Sequence, residues 1–386
     1  MGVFAGPKVV EDGLVLSLDL GNIFKSVDST SNNFLQNGSF AGGLGVTYEE
    51  GSNPTNTIVE LENPGDSNYV LRQNGNNTEY QMNIDGGAQG TLSASTQYVM
   101  SGWYATSDDY NGGDTMFHAR AFSTGGSHIS TGTGIGTLLY SVEIGGLTWE
   151  YRYQTITTPS DYSGDFDWYL GYGTTNTTGY RYYTGLKVEQ GSFPSLLDLS
   201  RNGNDAKVIN GTSYSSANGG SLVFDGTDDT VNFEYDLRSN WTYECWVNKD
   251  AKGGFSFLGQ GTTSSGSGLH IVMSNDKLRF GMYANDTDAL GLYSNTSTGV
   301  WYHYAFTYNH STFLKQIYRN GVQLTGTPVQ TQTAYIGTGT VRIGASYSSG
   351  GTVADGKIAS SKLYNRVLTA SEIKQNFNAT RSRFGI

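Results

Sequence analysis

The chain has 386 residues, 53 of them glycine, 6 proline and 1 cysteine, with 13% aromatic and only 15% charged residues and a formal net charge of −11. Disordered chains are aromatic-poor and charge-rich, collagen needs a three-residue glycine period, and disulfide scaffolds need paired cysteines, so these classes are excluded. A turn-rich, all-β protein large enough for two domains remains.

Short alternating segments bounded by Gly, Asn, Asp and Ser run the length of the chain and read as strands. Leu269–Phe280 reads as a hairpin turning at Asn275-Asp276. Trp301–Tyr308 is a nearly continuous β-prone run and predicts a strand covered on both faces, or one with an aromatic outer face. Gln316–Leu324 is the clearest hairpin, because Asn320-Gly321 supplies the two positive-φ positions of a type I′ turn. The one helix signal is terminal. Thr369-Ala-Ser-Glu372 forms a capping box, and Ile373 and Phe377 lie four apart on one face, predicting a short helix from Thr369 to about Asn378 packed on a sandwich edge.

Charge and targeting narrow the partners. The 23 Lys and Arg are scattered without a basic stripe, which argues against nucleic acid. No stretch approaches the length of an apolar membrane span. Met1–Lys8 lacks the basic and apolar regions of a secretory signal, and Gly6 fails the myristoylation pattern. Asn-x-Ser/Thr triplets such as Asn210-Gly-Thr and Asn240-Trp-Thr are expected by chance in this composition. An adhesive-looking β composition without secretion signal or disulfides fits a virion protein, folded in a reducing host cytoplasm and acting outside after lysis. Export by an unmarked route is the alternative.

Several motifs carry a family resemblance. Ser221–Val231, with its Phe224-Asp225-Gly226 turn, Trp241–Val247, Trp301–Thr307, Tyr318–Gly321 and Gly356–Ile373 resemble, in order, the strands of concanavalin A-like (laminin G-like) jelly rolls. Gly13–Asn22 resembles the opening strand of that family and Asp198–Asp205 the segment that soon follows it. Here residues 23–197 separate them, which implies an inserted domain, as is feasible where a guest's termini lie close together. The guest resembles carbohydrate-binding-module jelly rolls at Asn33–Phe40, Tyr98–Tyr104, Trp149–Pro159 and Leu186–Phe193. The fold expected is therefore all-β: two jelly-roll sandwiches, the first inserted into the second, plus a short C-terminal helix. The segments are 1–26 (first host strand), 27–195 (guest) and 196–386 (rest of the host). The pair of modules with an ending like Asn376–Gly385 resembles structural proteins of tailed phages, notably marine ones.

Two candidate sites follow. Some jelly rolls of the host family hold Ca²⁺ beside the Phe-Asp-Gly turn. Asp225, Asp228 and Asp229, with Asp355 ahead of the late Gly-Lys-Ile strand, could supply hard oxygen ligands there. Ala359 stands where calcium-binding relatives often carry an acid, and the same aspartates could simply cap a tight turn. In the guest, Trp149, Tyr151 and Tyr153 recur at period two. Trp168, Tyr169 and Tyr172, then Tyr180, Tyr182 and Tyr183, follow, interspersed with Arg152, Arg181, Asp161, Asp165 and Asp167. Sugar C–H faces pack on such rings while polar side chains take the hydroxyls. The plainer reading is sheet packing, to which tyrosine is well suited.

Catalysis is not expected. The Glu-x-Asp-x-x-Glu strand of glucanases with this fold is missing, and His118, His128, His270, His303 and His310 show no metal spacing. His303 reads as a hydrogen-bonded core residue and Cys245 as a small buried hydrophobe. Gly132–Gly136 lacks the strand–turn–helix context of a phosphate loop. The expected function is a non-enzymatic virion structural protein, a capsid decoration, tail or fibre component present in many copies or as a homo-oligomer. Its partners would be other virion proteins and host-surface glycans, with no cofactor other than Ca²⁺. A structural module without sugar binding and a polysaccharide depolymerase are the alternatives.

Overall fold

In a computed structural model, the structure describes residues 8–19, 48–50, 56–65, 67–74, 80–83, 92–113, 115–132, 134–172, 178–196, 198–210, 212–215, 217–274, 277–284, 296–324, 329–330, 333–347 and 351–386. The Asn33–Phe40 motif, the Asn275-Asp276 turn, Thr133 and residues 1–7 and 20–22 lie outside them. The chain divides into two compact units, Met1–Ser26 with Ser195–Ile386, and Val27–Pro194.

The first unit, the host, contains two antiparallel sheets. One runs in the order Ser213–Ser215, Ser221–Asp225, Asp355–Tyr364, Trp241–Lys249, Trp301–Asn309, Leu314–Arg319, Val322–Gln323. Leu14–Asp19 pairs with Asp355–Tyr364, matching Leu16 to Leu363 and Leu18 to Ser361. The Asp198–Asn204 loop fastens that first strand: the Ser17 N–H donates to Asp198 Oδ1 at 2.9 Å and Asn204 Nδ2 to the Val15 carbonyl at 2.6 Å. The second sheet runs Lys207–Ile209, Thr230–Phe233, Val341–Ile343, Phe255–Gly261, Gly268–Ser274, Lys277–Met282. Alternation of side chains sends Phe257 and Phe280 from this sheet against Trp241, Tyr304 and Phe306 from the first, with ring centroids 5.1–6.1 Å apart.

The local sequence signals explain the elements. Asn320 (φ 52°) and Gly321 (φ 73°) form the two-residue turn between Leu314–Arg319 and Val322–Gln323. Trp301–Asn309 is buried over nearly its whole length because sheet partners and packing cover both faces. The helix spans Ala370–Thr380 and is capped by Thr369 and Glu372 as a reciprocal box. Its buried residues Ile373, Asn376 and Phe377 lie on the outer face of the first sheet, where Trp246, Trp301, Ala359, Phe377 and Phe384 form one cluster. His303 is buried there beside Trp246 and Phe377. The expected side-chain hydrogen bond is a correction: His303 Nδ1 is buried without a partner. Cys245 is buried, and burial pushes its thiol well above the usual range.

The second unit, the guest, also has two antiparallel sheets. The larger runs Asn56–Glu60, Tyr69–Asn74, Tyr180–Gln190, Gln97–Thr106, Leu147–Thr157, Thr137–Ile144. The smaller runs Tyr48–Glu50, Tyr80–Asn83, Tyr162–Leu170, His118–Ser123, His128–Ser130. Leu71, Tyr98, Met100, Tyr183, Leu186 and Val188 from the larger sheet meet Ala119, Ala121, Phe166, Trp168 and Leu170 from the smaller in one core. The period of two then fixes what remains: His118, Arg120, Asp167 and Tyr169 occupy the opposite face of the smaller sheet.

Candidate functional site

The outer face of the smaller guest sheet is built from two paired strands. Antiparallel register sets Tyr169 opposite His118 and Asp167 opposite Arg120. Tyr172 follows the end of Tyr162–Leu170 and folds back over His118, with ring centroids 3.8 Å apart and planes 10° from parallel. Tyr169 and Tyr172 meet with ring centroids 5.4 Å apart and planes 63° apart. A polar chain orders the group. His118 Nδ1–H donates to the Gly132 carbonyl at 3.1 Å, which leaves Nε2 as the acceptor for Arg120 Nε–H at 3.2 Å. Arg120 Nη2–H donates to Tyr172 Oη at 3.0 Å, and Tyr169 O–H to Asp167 Oδ2 at 3.1 Å. Burial, with the Arg120 charge adding to it, holds His118 below the usual imidazole range and keeps it neutral, although its bond to the Gly132 carbonyl opposes the shift. His118 and Asp167 are buried, while Arg120, Tyr169 and Tyr172 are half-buried. Chemically this is an aromatic platform carrying one fixed cation and one fixed carboxylate.

The sequence-derived aromatic candidates separate accordingly. Trp149, Tyr151, Trp168 and Tyr183 are corrections: all four are buried and present no ring face to a ligand. Trp168 and Tyr183 belong to the inter-sheet core, where Trp168 Nε1 donates to the Met116 carbonyl at 2.8 Å and Tyr183 O–H to the Thr115 carbonyl at 3.1 Å. Tyr151 is packed edge-on against Trp103 and bonded to Ser101 Oγ at 2.9 Å. Arg181 is buried too, and Arg152 is tied to Glu150 at 2.8 Å. Tyr172 remains, in the cluster above. Tyr180 and Tyr182 form a second, smaller group with ring centroids 6.3 Å apart and the Arg72 guanidinium 4.8 Å over Tyr180. Of these, Tyr180 is exposed and Tyr182 half-buried. From the sequence, His118 is considered only as a metal ligand and Arg120 not at all. The signal was present in His-Ala-Arg-Ala, where small residues alternate with large polar ones, but the register that sets this strand beside Asp167 and Tyr169 is not written locally.

The acidic turn lies in the host. Gly226 (φ 78°) allows the tight reversal after Asp225. Asp225 Oδ1 accepts the Thr227 N–H at 2.8 Å and Asp229 Oδ2 accepts the Asp225 N–H at 2.9 Å, so two carboxylates cap the turn. The carboxylate oxygens of Asp225, Asp228 and Asp229 lie within 4.8 Å of one another. Asp229 is buried with Oδ1 unpartnered, and burial, reinforced by the charges of Asp225 and Asp228, raises it to about 6 against the pull of its backbone hydrogen bond. A buried orphan oxygen beside two further carboxylates fits a hard cation. Asp355, the strand partner of Asp225, is a correction: it stands outside this group, on the wall of an adjoining open cleft of about 620 Å³ with Lys252 and Thr352. Ala359 packs among Trp246, Trp301, Phe377 and Phe384, so that position offers no ligand.

Residues 225–374 match the family model of the concanavalin A-like lectin/glucanases superfamily. The matched stretch lies within the host unit. No curated protein sequence matches the chain. Among solved structures, a Trypanosoma rangeli sialidase in complex with sialic acid is similar at 15% identity and TM-score 0.40, covering 86% of this chain and 62% of that one. Domain 4 of an extracellular arabinanase from Geobacillus stearothermophilus, in complex with arabinotriose, is similar at 19% identity and TM-score 0.37, covering 46% and 91%. A botulinum neurotoxin type C structure, described by ganglioside-dependent cell entry, is similar at 16% identity and TM-score 0.37, covering 48% of each chain. The chain spans between about a third and about a half of the first three such structures. Likenesses of this grade assign no function to the jelly rolls of this chain.

Proposed function

We propose that the protein is a non-enzymatic glycan-binding protein whose guest sandwich holds carbohydrate on the His118–Arg120–Asp167–Tyr169–Tyr172 face. The observation that carries this is the stacked, hydrogen-bonded cluster on a sheet face turned away from the core. His118 stacks on the Tyr172 ring and holds it in place, and the half-buried Tyr172 and Tyr169 rings are the surfaces on which a sugar's C–H face would pack. Arg120 and Asp167 supply the donor and acceptor that sugar hydroxyls need. Each contact is weak, so useful adhesion comes from many copies. We place those copies on a virion, as capsid decoration, tail or fibre component, with other virion proteins and host-surface glycans as partners. The order of host and guest motifs in the sequence supports that setting.

Retention of the full chain on an array of host-surface polysaccharides tests binding. Retention that falls at least tenfold in Tyr172→Ala supports the reading, and absence of any retention rejects it. Incubation with the same polysaccharides is expected to release no new reducing ends; their release would establish a depolymerase instead. Quantitative composition of purified particles tests the setting, which fails if the protein is missing from them.

A further inference from the structure

We infer that the carbohydrate taken by the guest's outer face is an acidic one, its carboxylate paired with the end of the Arg120 guanidinium. The inference rests on the glycan-binding reading above and adds the chemical class of the ligand. A guanidinium offers five N–H donors in a rigid plane. In Arg120 the protein uses the side edge: Nε–H meets His118 Nε2 at 3.2 Å and one Nη2–H meets Tyr172 Oη at 3.0 Å. These two acceptors belong to rings stacked in parallel 3.8 Å apart, so the edge is gripped by one rigid unit. The other edge, Nη1 with the second Nη2–H, has no protein partner among the described residues. That edge matches the two oxygens of a carboxylate, which it binds through two parallel charge-assisted bonds.

Arg152, Arg238, Arg366 and Arg383 each hold a carboxylate at 2.7–2.9 Å. Arg120 holds none among the described residues, although Asp167 is its partner across the strands; Asp167 takes the Tyr169 hydroxyl instead, at 3.1 Å. The guanidinium also lies 5.0 Å from the Tyr169 centroid and 5.4 Å from that of Tyr172, a cation over aromatic faces that replace part of its hydration. His118 donates to the Gly132 carbonyl through Nδ1 and accepts through Nε2, so it positions Arg120 without adding a second charge. A sugar seated on Tyr172 would place a ring carboxylate beside the open edge, with Asp167 left to accept a hydroxyl. A neutral sugar would offer that edge only hydroxyl oxygens, which accept more weakly than a carboxylate.

The test is an array carrying uronic-acid oligosaccharides, each beside its carboxyl-reduced neutral counterpart, probed with the full chain and with Arg120→Gln and Arg120→Lys. The expected result is at least tenfold tighter retention of acidic members by the wild type. Arg120→Gln erases that preference, and Arg120→Lys, which keeps the charge without the fork, recovers only part of it. Thermal melts matching the wild type show that the variants remain folded. Equal retention of acidic and reduced members by the wild type, or preference for the reduced ones, overturns the acidic class while leaving glycan binding intact. Preference surviving in Arg120→Gln overturns the assignment to Arg120. No retention of any member overturns the glycan-binding reading and this inference with it.

Discussion

The host and guest sandwiches carry closely similar side chains on one outer sheet face and use them in opposite ways. In the host, His303 lies against Trp246 and Phe377, with Phe384 stacked 4.1 Å from Trp246. The chain's own C-terminal helix and final turn close over that face. Desolvation there holds His303 down at about 3. In the guest, His118 lies against Tyr172 and Tyr169, but no helix of the described residues covers the cluster, and Arg120 keeps one edge unpaired. The difference shows that aromatic content does not mark a binding face. What marks it is whether the rings have been spent on the protein's own packing.

That contrast breaks or sharpens at specific residues. Trp246→Ala should cost about 3–5 kcal/mol, because it empties a fully buried site between sheet and helix. Tyr172→Ala, at a half-buried ring, should cost no more than about 1 kcal/mol of stability. Comparable losses in denaturant titrations would mean that the guest face is packing as well.

Glu244 tests how closed the host face is. It sits beneath the helix, accepting from Asn376 Nδ2 at 2.8 Å with its other oxygen unpartnered, and Asn376 Oδ1 in turn takes the Val10 N–H at 2.7 Å. Burial raises Glu244 to about 7, against an ordinary value of 4.5. A raised carboxylate favours the fold while protonated, so its contribution is complete below about 4.5 and is lost as pH rises through about 7. Glu244→Gln should remove that decline, worth about 3 kcal/mol between the two ends. A wild type and variant with parallel stability–pH curves over this window would show that water reaches Glu244.

The acidic turn gives the smallest effect. Asp229, raised to about 6 from 3.8, likewise weakens the metal-free fold as pH climbs through that range. Asp229→Asn should relieve about 1 kcal/mol of this at neutral pH. Ca²⁺ should raise the wild-type melting temperature and leave Asp229→Asn unmoved, with EDTA reversing the shift. A wild-type melt indifferent to both reagents leaves the aspartates as turn caps alone.

Much of this architecture is legible in the chain. Thr369 and Glu372 announce the helix, Asn320-Gly321 the hairpin, and Gly13–Asp19 with Asp198–Asp205 the two sides of an interruption. Each of these is a local signal. The candidate site is legible only in part, because a period of two says which residues share a face but not which face is buried. Trp149 and Tyr151 read as a platform but are buried, with Tyr182 and Trp103 against their rings, whereas Arg120 gains its meaning only from Asp167 and Tyr169, dozens of residues away.

The most direct test of the account is retention of the full chain on host-surface polysaccharides, measured side by side for wild type, Tyr172→Ala and the double variant Tyr180→Ala/Tyr182→Ala, all with matched melts. Glycan binding on the Tyr172 face requires that Tyr172→Ala weakens retention at least tenfold, equivalent to about 1.4 kcal/mol, while the double variant stays within about threefold of the wild type. Full retention by Tyr172→Ala, or its loss only in the Tyr180/Tyr182 variant, would contradict it.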